Sequence, residues 1–178
     1  MLKLIKLTIA SLAITTSLQS ESAYAQYFST ETQRTEPILG SLLKVDRNED
    51  GLFLVKNFEL SEGRDFLICR AKEKGTYFIS AAIQAAALTE NINGHLNAWF
   101  EKNNSPLSSS CSSLYVTKNS PIVLISIPFL IELEEGDTIG TRFSTSGKDI
   151  GVSAIDPPSP FEPGFPSYSI TIYKVSTE

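Results

Sequence analysis

The 178-residue sequence has a single histidine, a single tryptophan and only two cysteines. His95 lies in a predicted turn, and no Gly-x-Ser-x-Gly motif accompanies it, so the residues give no sign of Ser-His-Asp catalysis. One histidine with two distant cysteines also falls short of the ligand number and spacing of a zinc site. We therefore predict no catalytic residues and no structural zinc.

Basic residues and long apolar runs are scarce as well. The chain has fifteen Lys and Arg residues and twenty Asp and Glu residues, which gives a net charge of −5. This acidity argues against nucleic acid as a partner, because binding phosphates requires a cationic surface. Beyond the N-terminus the longest apolar stretch, residues 122–131, has ten residues and contains Pro128. A membrane helix needs about twenty, so we predict a core segment and no membrane span.

The first 25 residues have the features of a secretory signal peptide. Lys3 and Lys6 precede a moderately apolar stretch over residues 7–18, and Ala23-Tyr24-Ala25 forms an A-x-A cleavage site. We predict cleavage after Ala25 and a secreted or periplasmic protein. The alternative, an amphipathic helix that stays attached, fits the Ser and Thr content less well. Removing 25 of 178 residues leaves 153, the size of a single domain.

An oxidising destination makes a disulfide between Cys69 and Cys111 one expectation, and two buried free thiols the other. The sequence leaves both open.

The regular spacing of turn residues along the chain predicts an all-β fold. Residues 26–37 are polar and lack periodicity, which predicts a flexible lead-in. From residue 38 to 178, Gly, Pro, Asn-Gly and Gly-Asp recur about every ten residues between β-branched and aromatic segments, as in a β-sandwich or barrel. We expect a hairpin of residues 38–45 and 52–58, and a long strand over 76–87 whose alanines also allow a helical turn.

One short motif matches a metal site. Residues 46–51 read D-x-N-x-D-G, the first half of an EF-hand loop, in which Asp46, Asn48 and Asp50 would supply oxygen ligands to calcium. The twelfth position is Asn57 instead of Glu, and apolar strand residues follow where a helix is needed. The alternative is that the motif only forms the turn of the predicted hairpin.

Four motifs in order resemble a known family. Residues 66–69 run into Gly-Thr-Tyr-Phe-Ile-Ser at 75–80, and an amphipathic strand at 96–101 ends in Lys-Asn-Asn. A Leu-Glu-Glu-Gly-Asp-Thr-Ile hairpin follows at 133–139, and the last strand is Pro-Ser-Tyr-Ser-Ile-Thr-Ile-Tyr at 166–173. Together these segments resemble the jelly-roll heads of complement's first-component recognition subunit and tumour necrosis factor, especially bacterial and phage relatives. Asn104 replaces the family's turn glycine, and no collagen stalk is present.

The resemblance implies a tumour necrosis factor-like jelly-roll sandwich that assembles as a homotrimer and acts by binding. Its ligand would be an unidentified protein or glycan, since fold does not name a ligand. Two alternatives come from other classes. One is a secreted hydrolase acting on glycans or envelope polymers, and the other is a structural subunit of an envelope or capsid-like assembly. A hydrolase would need facing acids across a cleft.

Overall fold

A computed structural model of the chain describes residues 24–29, 33–34, 41–42, 54–56, 58–60, 68–119, 122–155 and 164–176. The strands in chain order are β1 (Tyr24–Ser29), β2 (Gln33–Arg34), β3 (Ser41–Leu42), β4 (Leu54–Lys56), β5 (Phe58–Leu60), β6 (Ile68–Ala71), β7 (Gly75–Ala87), β8 (Gly94–Lys102), β9 (Ser105–Pro106), β10 (Ser112–Val116), β11 (Ile122–Leu133), β12 (Thr138–Thr145), β13 (Ile150–Val152) and β14 (Tyr168–Ser176). The described residues contain no α-helix, only a single 3₁₀ turn at Ser108–Ser110.

Two antiparallel sheets build an all-β sandwich. In the first, β7 pairs on one side with β11 along its whole length, and on the other side with β14 and then β13; β14 continues to β1 and β4. The second sheet has the order β10-β8-β12-β6-β5, with β3 on β12 and β9 on β8. The all-β prediction is confirmed.

The core lies between the sheets because side chains alternate along each strand. Inward residues of the first sheet include Tyr77, Ile79 and Ile172, while Phe100 and Phe143 come from the second. All five are fully buried, and burial of a side chain of this size stabilises the fold by roughly 1.5–3 kcal/mol.

One polar contact joins the two sheets inside the core. The Tyr168 hydroxyl of the first sheet lies 3.0 Å from Thr141 Oγ1 of the second. Burial raises the pKa of Tyr168, so its hydroxyl stays protonated.

Several expected elements are present, and one is wrong. The alanines of β7 continue as strand through Ala87, so no helical turn forms there. The predicted hairpin of residues 38–45 and 52–58 does not form between the described strands. β3 pairs with β12 in the second sheet, whereas β4 pairs with β1 in the first. A polar Asp-Gly turn signals a reversal of the chain but does not decide which strands pair afterwards.

The expected lead-in, residues 26–37, overlaps β1 and β2. The predicted cleavage after Ala25 would remove the first two residues of β1, Tyr24 and Ala25, and leave residues 26–29 to pair with β14. Residues 1–23 of the predicted signal peptide lie outside the described part of the chain.

Candidate binding surface

The outward side chains of β7, β11 and β14 form one continuous surface, here called the outer face. Cross-strand register aligns Leu130, Phe78 and Tyr173 in one row, and Pro128, Ser80 and Thr171 in the next. The outer face comprises Thr76, Phe78, Ser80, Ala82, Ile122, Leu124, Ser126, Pro128, Leu130, Glu132, Ser169, Thr171 and Tyr173. Gln84 and Ala86 lie on the same side of β7 but are buried. Glu132, at one end, is the single charged residue of the outer face, in a chain in which 20% of residues are charged.

Apolar groups protrude from one side of this face. Leu124 and Leu130, both on β11, are 64% and 61% exposed, and Ile122 at the start of the same strand is 44% exposed. Across the sheet the Phe78 and Tyr173 rings pack at 5.1 Å between centroids, and Tyr173 remains 41% exposed. Contiguous exposed apolar groups of this kind mark interaction surfaces.

Small side chains occupy the middle of the outer face. Ser80 and Ala82 on β7 lie beside Ser169 and Thr171 on β14, with Ser126 on β11 opposite Ala82. Because these side chains are short, another surface can approach the sheet closely here. The sequence predicted a core segment over residues 122–131. In the structure this segment belongs to β11, whose inward Ile125 and Ile127 are buried while its outward leucines are exposed, and among the described strands β11 lies at the edge of its sheet.

The outward surface of the second sheet is polar by contrast. Arg142 on β12 forms an ion pair with Glu101 on β8, and Trp99 lies directly opposite Arg142. Tyr115 on β10 is 61% exposed and lies opposite His95, which is also exposed. The backbone N–H of His95 donates to Ser146 Oγ, so this serine contacts the backbone of His95.

The acidic turn between β11 and β12 forms a hydrogen-bonded network. Lys102 Nζ lies 2.7 Å from Asp137 Oδ2, Asn103 Nδ2 donates to Asp137 Oδ1 at 2.6 Å, and the Glu134 backbone N–H donates to Oδ2 at 2.8 Å. Burial alone would raise the pKa of Asp137, but these donors and the Lys102 charge outweigh it and lower the pKa to about 2. The network joins this turn to the β8–β9 turn. The sequence predicted two separate turns and gave no signal that they are linked.

The two cysteines are free thiols, so of the two expectations the disulfide is absent. Cys69 is fully buried on β6, where burial raises its pKa to about 12, whereas Cys111 is exposed before β10. In the order β10-β8-β12-β6, their strands are three spacings apart, about 14 Å, and a disulfide requires Cα atoms within about 7 Å. The alternative of two buried thiols is right for Cys69 only.

The predicted calcium ligands Asp46, Asn48 and Asp50 lie outside the described residues. Within the described ranges, no group of three or more His, Cys, Asp or Glu side chains is placed to hold a metal ion. Those ranges also contain no helix long and apolar enough to cross a membrane. An open depression of about 460 Å³ lies at the β7–β8 turn, lined by residues 87–91 and Lys118.

The chain matches no protein-family model and no curated protein sequence.

Proposed function

We propose that this chain is a secreted, non-catalytic binding module with a tumour necrosis factor-like jelly-roll fold, and that it assembles as a homotrimer through the outer face. The predicted signal peptide supports export. The strand order supports the fold, and the composition of the outer face supports assembly.

The pairing of the eight principal strands is nested. β1 pairs with β14, β6 with β12, β7 with β11, and β8 with β10, so the first of the eight meets the last and the middle two meet each other. Such nesting is what results when one long antiparallel hairpin rolls into two sheets, which is the arrangement of a jelly roll. This pairing is the observation that best supports the fold.

The outer face supports association of several copies. Its protruding leucines lie along β11, while its shallow strip of small side chains lies beside them on β7 and β14. If the leucines of one copy pack on the small strip of the next, the contact joins two different patches. Heterologous contacts of this type close into rings when the rotation allows it. The scarcity of charge removes the desolvation cost that buried unpaired charges would add.

Assembly through the outer face leaves the polar surface of the second sheet free. Its exposed Tyr115 is a side chain of the kind that anchors protein or glycan partners, because it combines a large ring with a polar hydroxyl. Ligand binding is therefore assigned to this side of the assembled module.

A matched pair of variants tests the assembly. Leu130→Glu introduces a charge into the outer face, while Tyr115→Glu introduces the same charge at the other sheet; both native side chains are 61% exposed. We expect Leu130→Glu to yield folded monomers by sedimentation velocity and Tyr115→Glu to keep the wild-type mass. Equal masses for both variants would refute assignment of the interface to the outer face.

A further inference from the structure

The edge of the first sheet at β11 is long and uncharged in its sequence. β11 pairs with β7 over twelve residues, and no described strand pairs with its other side, here called the free edge. The segment from Ile122 to Ile131 contains no charged residue. Unpaired strand edges of this composition are templates for pairing with another chain, and proteins that stay soluble carry devices that prevent it.

Backbone hydrogen bonds of β7 show which residues of β11 point to the free edge. The Gln84 N–H donates to Ser167 O at 2.8 Å, and Gln84 O accepts from the Ser153 N–H at 3.1 Å. Both partners adjoin β13 and β14, on the side of β7 away from β11. Leu124, opposite Gln84, therefore belongs to a pair that exchanges no hydrogen bonds, and its N–H and C=O point to the free edge.

The N–H and C=O groups of successive residues point to opposite sides of a strand, so those of every second residue point the same way as those of Leu124. The residues whose backbone groups point to the free edge are Ile122, Leu124, Ser126, Pro128, Leu130 and Glu132. One hydrogen bond agrees independently, since Lys102 Nζ donates to Glu132 O at 2.9 Å and caps the last carbonyl of this row.

Pro128 lies in the middle of the row. It is opposite Ser80, and the register with β7 continues unbroken on both sides of it. Proline has no N–H, and its ring occupies the place where a partner carbonyl would approach. A strand therefore tolerates proline where the N–H would face away from its neighbour. At Pro128 the missing N–H is the central donor of the free edge.

We propose that the free edge of β11 is able to pair with β11 of a second copy of this chain, and that Pro128 prevents this pairing in the native sequence. The partner strand is β11 of the second copy, antiparallel to the first. It carries the same uncharged segment, so no like charges meet across the pairing, and its own edge offers the same row of donors and acceptors. This inference concerns the edge of the sheet and does not depend on assembly through the outer face.

The test restores the missing donor in the mature chain, residues 26–178. We expect Pro128→Val to add a concentration-dependent species with twice the wild-type number of copies, measured by sedimentation velocity. Amide hydrogen exchange at Leu124, Ser126 and Leu130 should slow in the same species. The matched control is Pro106→Val, which replaces an exposed proline in the two-residue strand β9 and should keep the wild-type mass.

A second variant separates the missing donor from other effects of proline. The Ser126 side chain is exposed and its N–H points to the same edge, so the double variant Ser126→Pro, Pro128→Val should have the wild-type mass again. Pro128→Ala replaces Pro128→Val if the latter fails to fold by circular dichroism. A folded variant at position 128 that keeps the wild-type mass and exchange rates at every concentration overturns the proposal. The mass of the wild type itself tests the proposed trimer separately.

Discussion

The Asp137 network makes a prediction about stability that can be worked out from the structure. The Asp137 side chain is 14% exposed and accepts hydrogen bonds from Lys102, Asn103 and the backbone of Glu134. These bonds favour the carboxylate, and the pKa falls from 3.8 to about 2 in the folded chain. At 1.36 kcal/mol for each unit, such a fall corresponds to a little over 2 kcal/mol. Solvent near the turn screens the charges, so we expect about 1 kcal/mol.

The sign follows from the lowered pKa. The unfolded chain binds the proton first as the pH falls, so the contribution is fully present above about pH 4 and is lost as the pH approaches 2. Asp137→Asn removes the charge, and its amide has a single acceptor oxygen, so it cannot accept both the Asn103 bond and the bonds from Lys102 and Glu134. We expect it to lower the free energy of unfolding by about 1–2 kcal/mol at pH 7, and by much less at pH 2.

Urea denaturation at both pH values measures this difference. Glu135→Gln is the matched control, because it makes the same change of charge in the same turn at an exposed residue. It should change stability by less than about 0.5 kcal/mol. The reasoning is wrong if Asp137→Asn costs the same at pH 2 as at pH 7, or if it costs no more than Glu135→Gln.

Three further predictions concern single positions. Gly94→Ala would place a Cβ against Ser146 Oγ and the side chain of the buried Ile150, so urea denaturation should show a loss of about 1–3 kcal/mol; an unchanged midpoint would contradict the packing. Asn104→Gly should raise the melting temperature, since Asn104 has φ 63 and glycine adopts positive φ without a Cβ penalty; a lower value would contradict this. A thiol reagent should modify Cys111 in the native protein and leave Cys69 intact, as measured by mass spectrometry of peptides. Modification of Cys69 with Cys111 intact would contradict the assignment.

Local patterns predicted the strands well because alternation is a property of neighbouring residues. Leu96, Ala98 and Phe100 face the core, and Asn97 and Trp99 face outward, as their spacing indicates. The Glu134–Asp137 turn also forms, with Gly136 at φ 87, a conformation that favours glycine.

Features set by distant parts of the chain could not be predicted in this way. The hairpin prediction is wrong because the described strands β3 and β4 pair with strands far along the sequence. Sheet order decides between the two expectations for the cysteines, because it separates Cys69 from Cys111. The exposed leucines of β11 are visible in the sequence as an apolar segment, but the sheet order is needed to show that this strand is an edge among the described strands. The polar link between Lys102 and Asp137 depends on two turns that meet only in the folded chain.

The mass of the mature chain in solution tests the central proposal most directly. Sedimentation equilibrium of residues 26–178 at micromolar concentration should give three copies per particle. A mass of one copy across that range would contradict assembly through the outer face, and with it the homotrimeric binding module proposed for this chain.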